Sequence, residues 1–379
     1  MNSLKSLLFV TFIATLLTIS SIPETSQATS NPVNLPWNLQ QISIAGAWNI
    51  TTGRTDIIIA VIDSGIDFSH PALSQAQWIN SDEIINNSLD DDNNGYIDDF
   101  SGWDWINQDN NPGWQDEDEI HYHGTFIAGI IAANDSEVIG IAPKVKVMSL
   151  RVVDRNTLIP NPAGLEEAVE YATQKNAAVI IMSLDLLIGP PGFRDSIRSA
   201  VSANIPVIGV AGNSDEGNES VVLPGRFSEV IAVGASNSNG EKAYYSNIGE
   251  EVEILAPGGQ LRSTSVKSGY LYGQGTSYAA PHVAGVIGLM KSIRSDLSVD
   301  DIRSILYSTA LDIGDSGWDA ETGHGILNAS AAIELTQTYV KTTTITSNPP
   351  RLFGISSIPH VEILLFSALI TQLFWKKQK

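Results

Sequence analysis

The residues whose types could do chemistry together lie far apart in this chain. Asp63 closes an apolar run over 57–62 and is followed by Ser64-Gly65. His123 opens a second apolar stretch in His123-Gly124-Thr125, and Ser277 begins a small-residue stretch in Gly275-Thr276-Ser277-Tyr278-Ala279-Ala280. A serine hydroxyl is a weak nucleophile until a base takes its proton. An imidazole is such a base, and a carboxylate behind it fixes its tautomer. Asn213, in Ala211-Gly212-Asn213, adds an amide donor suited to a developing oxyanion. Taken singly, each has an ordinary alternative as a turn former, a helix cap or a structural histidine.

Side chains this distant in sequence need a frame. Continuous apolar, partly β-branched runs recur over 57–62, 145–153, 178–183, 206–211 and 229–234. Such runs read as strands buried on both faces. Helical patterns over 126–133, 162–176 and 195–204 lie between them. This alternation predicts an α/β domain with a parallel sheet covered on both sides, and residues 32–335 contain no linker that would divide it. In such sheets the functional residues gather beyond the carboxyl ends of the strands.

The chain has 379 residues with 43% apolar content, ample for a core. It carries 42 Asp and Glu against 21 Lys and Arg, a net charge of -21, and no cysteine. A cysteine nucleophile, a disulfide framework and thiolate metal sites are excluded. Between Arg54 and Lys144 there are 18 carboxylates and no Lys or Arg, with 13 of the carboxylates falling in 82–119. That field repels phosphate backbones, so nucleic acid is not an expected partner. The run Asp90, Asp92, Asn94, Tyr96, Asp98 and Asp99 alternates oxygen groups around Gly95. It reads either as a structural calcium loop or as a solvated acidic loop; the glutamate spacing of an EF-hand is absent.

The ends carry targeting patterns. Residues 1–28 run from Lys5 through an apolar core to Ala28-Thr29-Ser30, the order of a secretory signal. A polar tether over 336–351 leads to a mostly apolar segment, 352–375, and a basic tail, 376–379. Its length suits a helix that crosses a membrane; the alternatives are an interfacial helix or a terminal helix packed on the domain. Glu362 within it counts against burial in lipid. The domain is therefore expected to be exported and anchored facing outward.

Over roughly residues 36–335 the chain resembles the subtilisin-like serine proteases, through Asp63-Ser-Gly-Ile-Asp67 with His70-Pro71, His123-Gly-Thr125, Ala211-Gly-Asn213 and Gly275-Thr-Ser-Tyr-Ala-Ala-Pro-His-Val-Ala-Gly285. The resemblance implies a three-layer fold with a mostly parallel central sheet and an endopeptidase that cuts proteins or peptides without a cofactor in the chemistry. Ser277 would be the nucleophile, His123 the general acid and base, Asp63 its support, and Asn213 with the Ser277 N–H the oxyanion hole. An extended substrate would add beside Ser183, Leu184 and Asp185, near Gly212. The family has glycine where this chain has Asp185, which would narrow the cleft, favour basic side chains or face solvent on a displaced loop. Phe126 and Tyr278 replace the family's usual histidine and methionine, His70 and His282 fall in packing motifs, and Ala72 stands where one known calcium site has an aspartate. The competing reading is a non-catalytic surface binding protein of the same fold.

Overall fold

Within each apolar run, alternate side chains go to opposite faces, and this divides the core into layers. The computed structural model describes residues 35–114, 122–154, 160–186, 188–217 and 219–340. Seven strands form one sheet: β1 (Ile58–Asp63), β2 (Gly102–Asp104), β3 (Lys146–Arg151), β4 (Val179–Met182), β5 (Val207–Val210), β6 (Ile231–Ser236) and β7 (Val252–Pro257). Their order is β2-β3-β1-β4-β5-β6-β7, and every neighbouring pair is parallel. Ile59, Val61, Ile181 and Val210 enter one core with α3 (His123–Ala132) and α6 (Thr276–Ile293). Ala60, Ile62, Ile180 and Met182 enter the other, with α4 (Pro162–Gln174) and α5 (Phe193–Ser202). The result is the expected three-layer α/β arrangement.

From β1 the chain proceeds to β2 and β3 on one side and to β4 onward on the other, so the winding reverses between β1 and β4. A crevice opens at the carboxyl ends of strands flanking such a reversal. Asp63 is the last residue of β1, Ser183 follows β4, and Asn213 lies just beyond β5. A β8–β9 hairpin (Leu261–Thr264, Tyr270–Gly273) precedes α6. Short helices α1 (Trp37–Gln41) and α2 (Ile44–Trp48) and the terminal helices α7 (Val299–Thr309) and α8 (Ala329–Thr338) complete the unit.

Helix α8 continues past Leu335, where the sequence reading closes the domain, and Thr336 is buried. The compact unit extends to Tyr339. The signal pattern at 1–28 and the apolar segment at 352–375 lie outside the described residues. Among the described residues, no helix is long and apolar enough to cross a membrane.

Candidate active site

Asp63 leaves β1 buried, and its Oδ1 accepts from the Ser64 amide at 2.7 Å. Both carboxylate oxygens lie 2.9 Å from His123 Nδ1. A carboxylate only accepts, so this contact fixes the proton on Nδ1 and leaves the Nε2 lone pair for a substrate-side proton. Burial lowers the affinity of the imidazole for a proton, but the Asp63 charge and hydrogen bond outweigh it, and the pKa ends above the ordinary value of 6.5. The ring is not sealed; its side chain is 32% exposed. Close approach requires Gly124, because a Cβ there would stand 2.4 Å from the Gly65 carbonyl oxygen.

Ser277 sits in the first turn of α6, whose leading N–H groups have no partner within the helix. Gly275 caps that turn at φ 150°, a conformation that favours glycine. Pro281, one turn later, has no N–H for the Ser277 carbonyl. That carbonyl accepts instead from Ser183 Oγ at 3.0 Å, while Ser277 Oγ donates to the Ser183 carbonyl at 3.2 Å. The reciprocal pair fastens the end of β4 to the first turn of α6. It also directs the Ser277 proton toward a main-chain oxygen, while His123 lines the same cavity.

Asn213 Oδ1 accepts from Thr276 N at 2.9 Å and from Thr276 Oγ1 at 3.2 Å. With its oxygen occupied, the amide has its Nδ2 hydrogens left to offer. Thr276 Oγ1 also receives Gly212 N at 3.2 Å, so one threonine ties both Gly212 and Asn213 to α6. Thr276 was not among the residues expected to matter, although its place inside the Gly275-Thr-Ser motif is the signal that marks it.

Asp63, His123, Ser183, Leu184, Asp185 and Ser277 line one cavity of about 430 Å³, together with Tyr122, Val153 and Pro160. Asn213 lies in a separate cavity of about 290 Å³ with Gly275 and Tyr244. A larger cavity, about 660 Å³ beside Asp67 and Trp114, contains none of the Asp–His–Ser set. The two aromatic departures from the family pattern meet: Tyr278 packs 4.3 Å from Phe126 and 5.6 Å from the His123 ring, between centroids. His282 is buried and neutral, with Nδ1–H donating to the Tyr278 carbonyl and Nε2 accepting from Asn38, each at 2.9 Å. His70 accepts from Ala72 N at 3.1 Å and donates to the Gly269 carbonyl at 3.0 Å. Both histidines serve packing.

The acidic insert is less uniform than its sequence suggests. Asp98 accepts the amides of Asn87 and Ser88 at 3.0 and 2.9 Å. Asp99 is buried against Asn80, Asn94 and Tyr171. Lys175 reaches in from the end of α4 to pair with Asp92 and lies 3.8 Å from Asp99. The Tyr96 ring packs on Trp103, Trp105 and Tyr171. Of the six expected ligands, Asp98 and Asp99 thus engage in hydrogen bonds within the fold and Asp92 in an ion pair with Lys175. Among the described residues, the carboxylates that do converge are Glu83, Asp90 and Asp92, with one oxygen from each within 4.8 Å of the others. Glu83 lies outside the alternating run, and its sequence context carries no ligand signal beyond its place in the acidic stretch. Its Oε1 receives the amides of Asp91 and Asp92 at 3.0 and 3.2 Å, while its Oε2 is buried without a hydrogen-bond partner.

The sequence profile described as the Subtilase family matches residues 54–325. The chain is 36% identical to Subtilisin DY of Bacillus licheniformis over 216 residues, 56% of this chain and 77% of that protein. It is 32% identical to Thermitase of Thermoactinomyces vulgaris over 298 residues, covering 78% and 94% of the two chains. Against Subtilisin of Bacillus pumilus the identity is 32% over 305 residues, 79% of this chain and 99% of the relative.

Proposed function

Because the chain belongs to the subtilase family and is thereby a serine-type endopeptidase, we propose that it cleaves peptide bonds through an acyl-enzyme on Ser277, with His123, Asp63 and Asn213 as its machinery. The observation that carries this reading is His123 Nδ1 bound to both oxygens of Asp63 in the cavity that Ser277 also lines. His123 Nε2 takes the Oγ proton as the hydroxyl attacks the substrate carbonyl, then returns it to the leaving amine; water repeats the sequence to release the acyl group. Asp63 stabilises the transient imidazolium. Asn213 Nδ2 and the Ser277 N–H, at the positive end of α6, face the oxyanion. Extended substrate adds beside Ser183, Leu184 and Asp185, with Gly212 near the reacting carbonyl. Fluorophosphonate labelling tests the nucleophile: the expected result is a labelled wild type and an unlabelled Ser277→Ala, and labelling that persists in the variant would overturn the assignment.

Glu83, Asp90 and Asp92 fit a hard cation that prefers oxygen donors, and the orphaned Glu83 Oε2 favours one there. Bound calcium would be structural, holding the insert between Asp63 and His123, and would take no part in the chemistry. The signal pattern supports export, and the apolar segment 352–375 is the sequence basis for an anchor at a membrane.

A further inference from the structure

The cleft carries an acid where the family pattern has glycine. The segment from Ser183 to Leu186 is held at both ends, by Ser183 on Ser277 and by Leu186 on Leu223, whose amides exchange bonds of 3.0 and 3.2 Å. Asp185 is therefore fixed in the wall of the cavity that contains His123 and Ser277, rather than swung away on a displaced loop. It is solvent-accessible, and no Lys or Arg is among the described residues lining that cavity. Partial enclosure, reinforced by the charge of Glu219, raises the Asp185 pKa above the usual carboxylate range.

We infer that Asp185 makes the cleft select a basic side chain, lysine or arginine, in the peptide to be cut. The inference rests on Ser277 being the nucleophile, since that fixes which cavity holds the substrate. A bound peptide displaces water from Asp185. An ammonium or guanidinium then replaces the lost hydration, a neutral side chain leaves the carboxylate poorly solvated, and an acidic one adds repulsion. Selection of this kind works through both the attractive and the excluded partner.

The test uses fluorogenic peptides of one sequence in which each acyl-side residue in turn is Lys or the uncharged, similarly shaped Met. Fluorophosphonate titration counts competent enzyme in every preparation. Wild type should prefer Lys at one acyl-side position by about tenfold in kcat/KM, and the preference should shrink as salt is raised. Asp185→Asn should bring the ratio near one, and Asp185→Lys should invert it. An equal ratio in wild type and Asp185→Asn, with labelling intact in both, would overturn the charge selection alone. Absence of Ser277-dependent labelling would overturn the hydrolytic reading and this inference with it.

Discussion

Ser277 and Asn213 are each held by a neighbour outside the proposed Asp63–His123–Ser277–Asn213 set. Ser183 holds the backbone at Ser277, the proposed nucleophile, and Thr276 holds the oxygen end of the Asn213 amide. An oxyanion donor is effective because it needs no reorganisation when charge develops, so the pin matters as well as the donor. Asn213→Ala should cost about 3 kcal/mol of transition-state stabilisation, roughly a hundredfold or more in kcat, with thermal stability nearly unchanged. Thr276→Val keeps the backbone N–H and loses only the hydroxyl, so its effect should be in the same direction and smaller. Steady-state kinetics on a peptide substrate check both; an Asn213→Ala enzyme as fast as wild type would remove the amide from the mechanism.

At the scale of elements, the placement of α6 depends on a buried histidine. His282 joins the Tyr278 carbonyl of α6 to Asn38 of α1, and burial pushes its pKa down from 6.5 to about 4, against the smaller raising effect of its backbone bonds. The unfolded chain therefore binds a proton between these two values while the folded chain does not. Stability from this residue is complete above the unfolded pKa and is lost as pH falls toward about 4, amounting to about 3 kcal/mol over that window. Denaturant melts across this range, in a Ser277→Ala background to prevent self-digestion, should show that slope in His282 and lose it in His282→Leu. Equal slopes would place the acid sensitivity elsewhere. The sequence announced the five central strands of the sheet because burial on both faces leaves an apolar run with no competing signal. It did not announce β2, three residues inside the acidic insert, or β7, whose Glu253 breaks the apolar run and is paired with Arg303 from α7. The same limit applied to the site. Asp63, His123, Ser277 and Asn213 stand in local motifs, whereas Glu219, Glu83 and the Lys175–Asp92 pair depend on tertiary proximity that no local pattern encodes.

For the whole molecule, the net charge of -21 raises the question of how 13 carboxylates between residues 82 and 119 are tolerated between Asp63 and His123, the two residues proposed to act together. Part of the answer is internal. Lys175 neutralises the end where Asp92 and Asp99 meet, Arg151 pairs with buried Asp104 at 2.8 Å, and backbone amides take up Asp98. Among the described residues, Glu83, Asp90 and Asp92 lie together with Lys175 paired to Asp92, and burial with the charges of Asp99 and Asp92 pushes the Glu83 carboxyl above its usual range. A divalent ion there would relieve that repulsion and satisfy the orphaned Glu83 oxygen at once. Binding to the folded state alone at a hundredfold excess over Kd adds about 2.7 kcal/mol, which in a domain of this size raises Tm by roughly 5 °C. Chelated Ser277→Ala protein titrated with calcium should show this rise, and Glu83→Gln should abolish most of it. Magnesium should substitute poorly, because it dehydrates reluctantly and demands a tighter geometry than three converging carboxylates impose. If calcium leaves Tm unchanged in the chelated protein, the insert holds its charge by Lys175, Arg151 and solvent alone. The stability of the loop joining Asp63 to His123 would then vary with salt rather than with any particular cation.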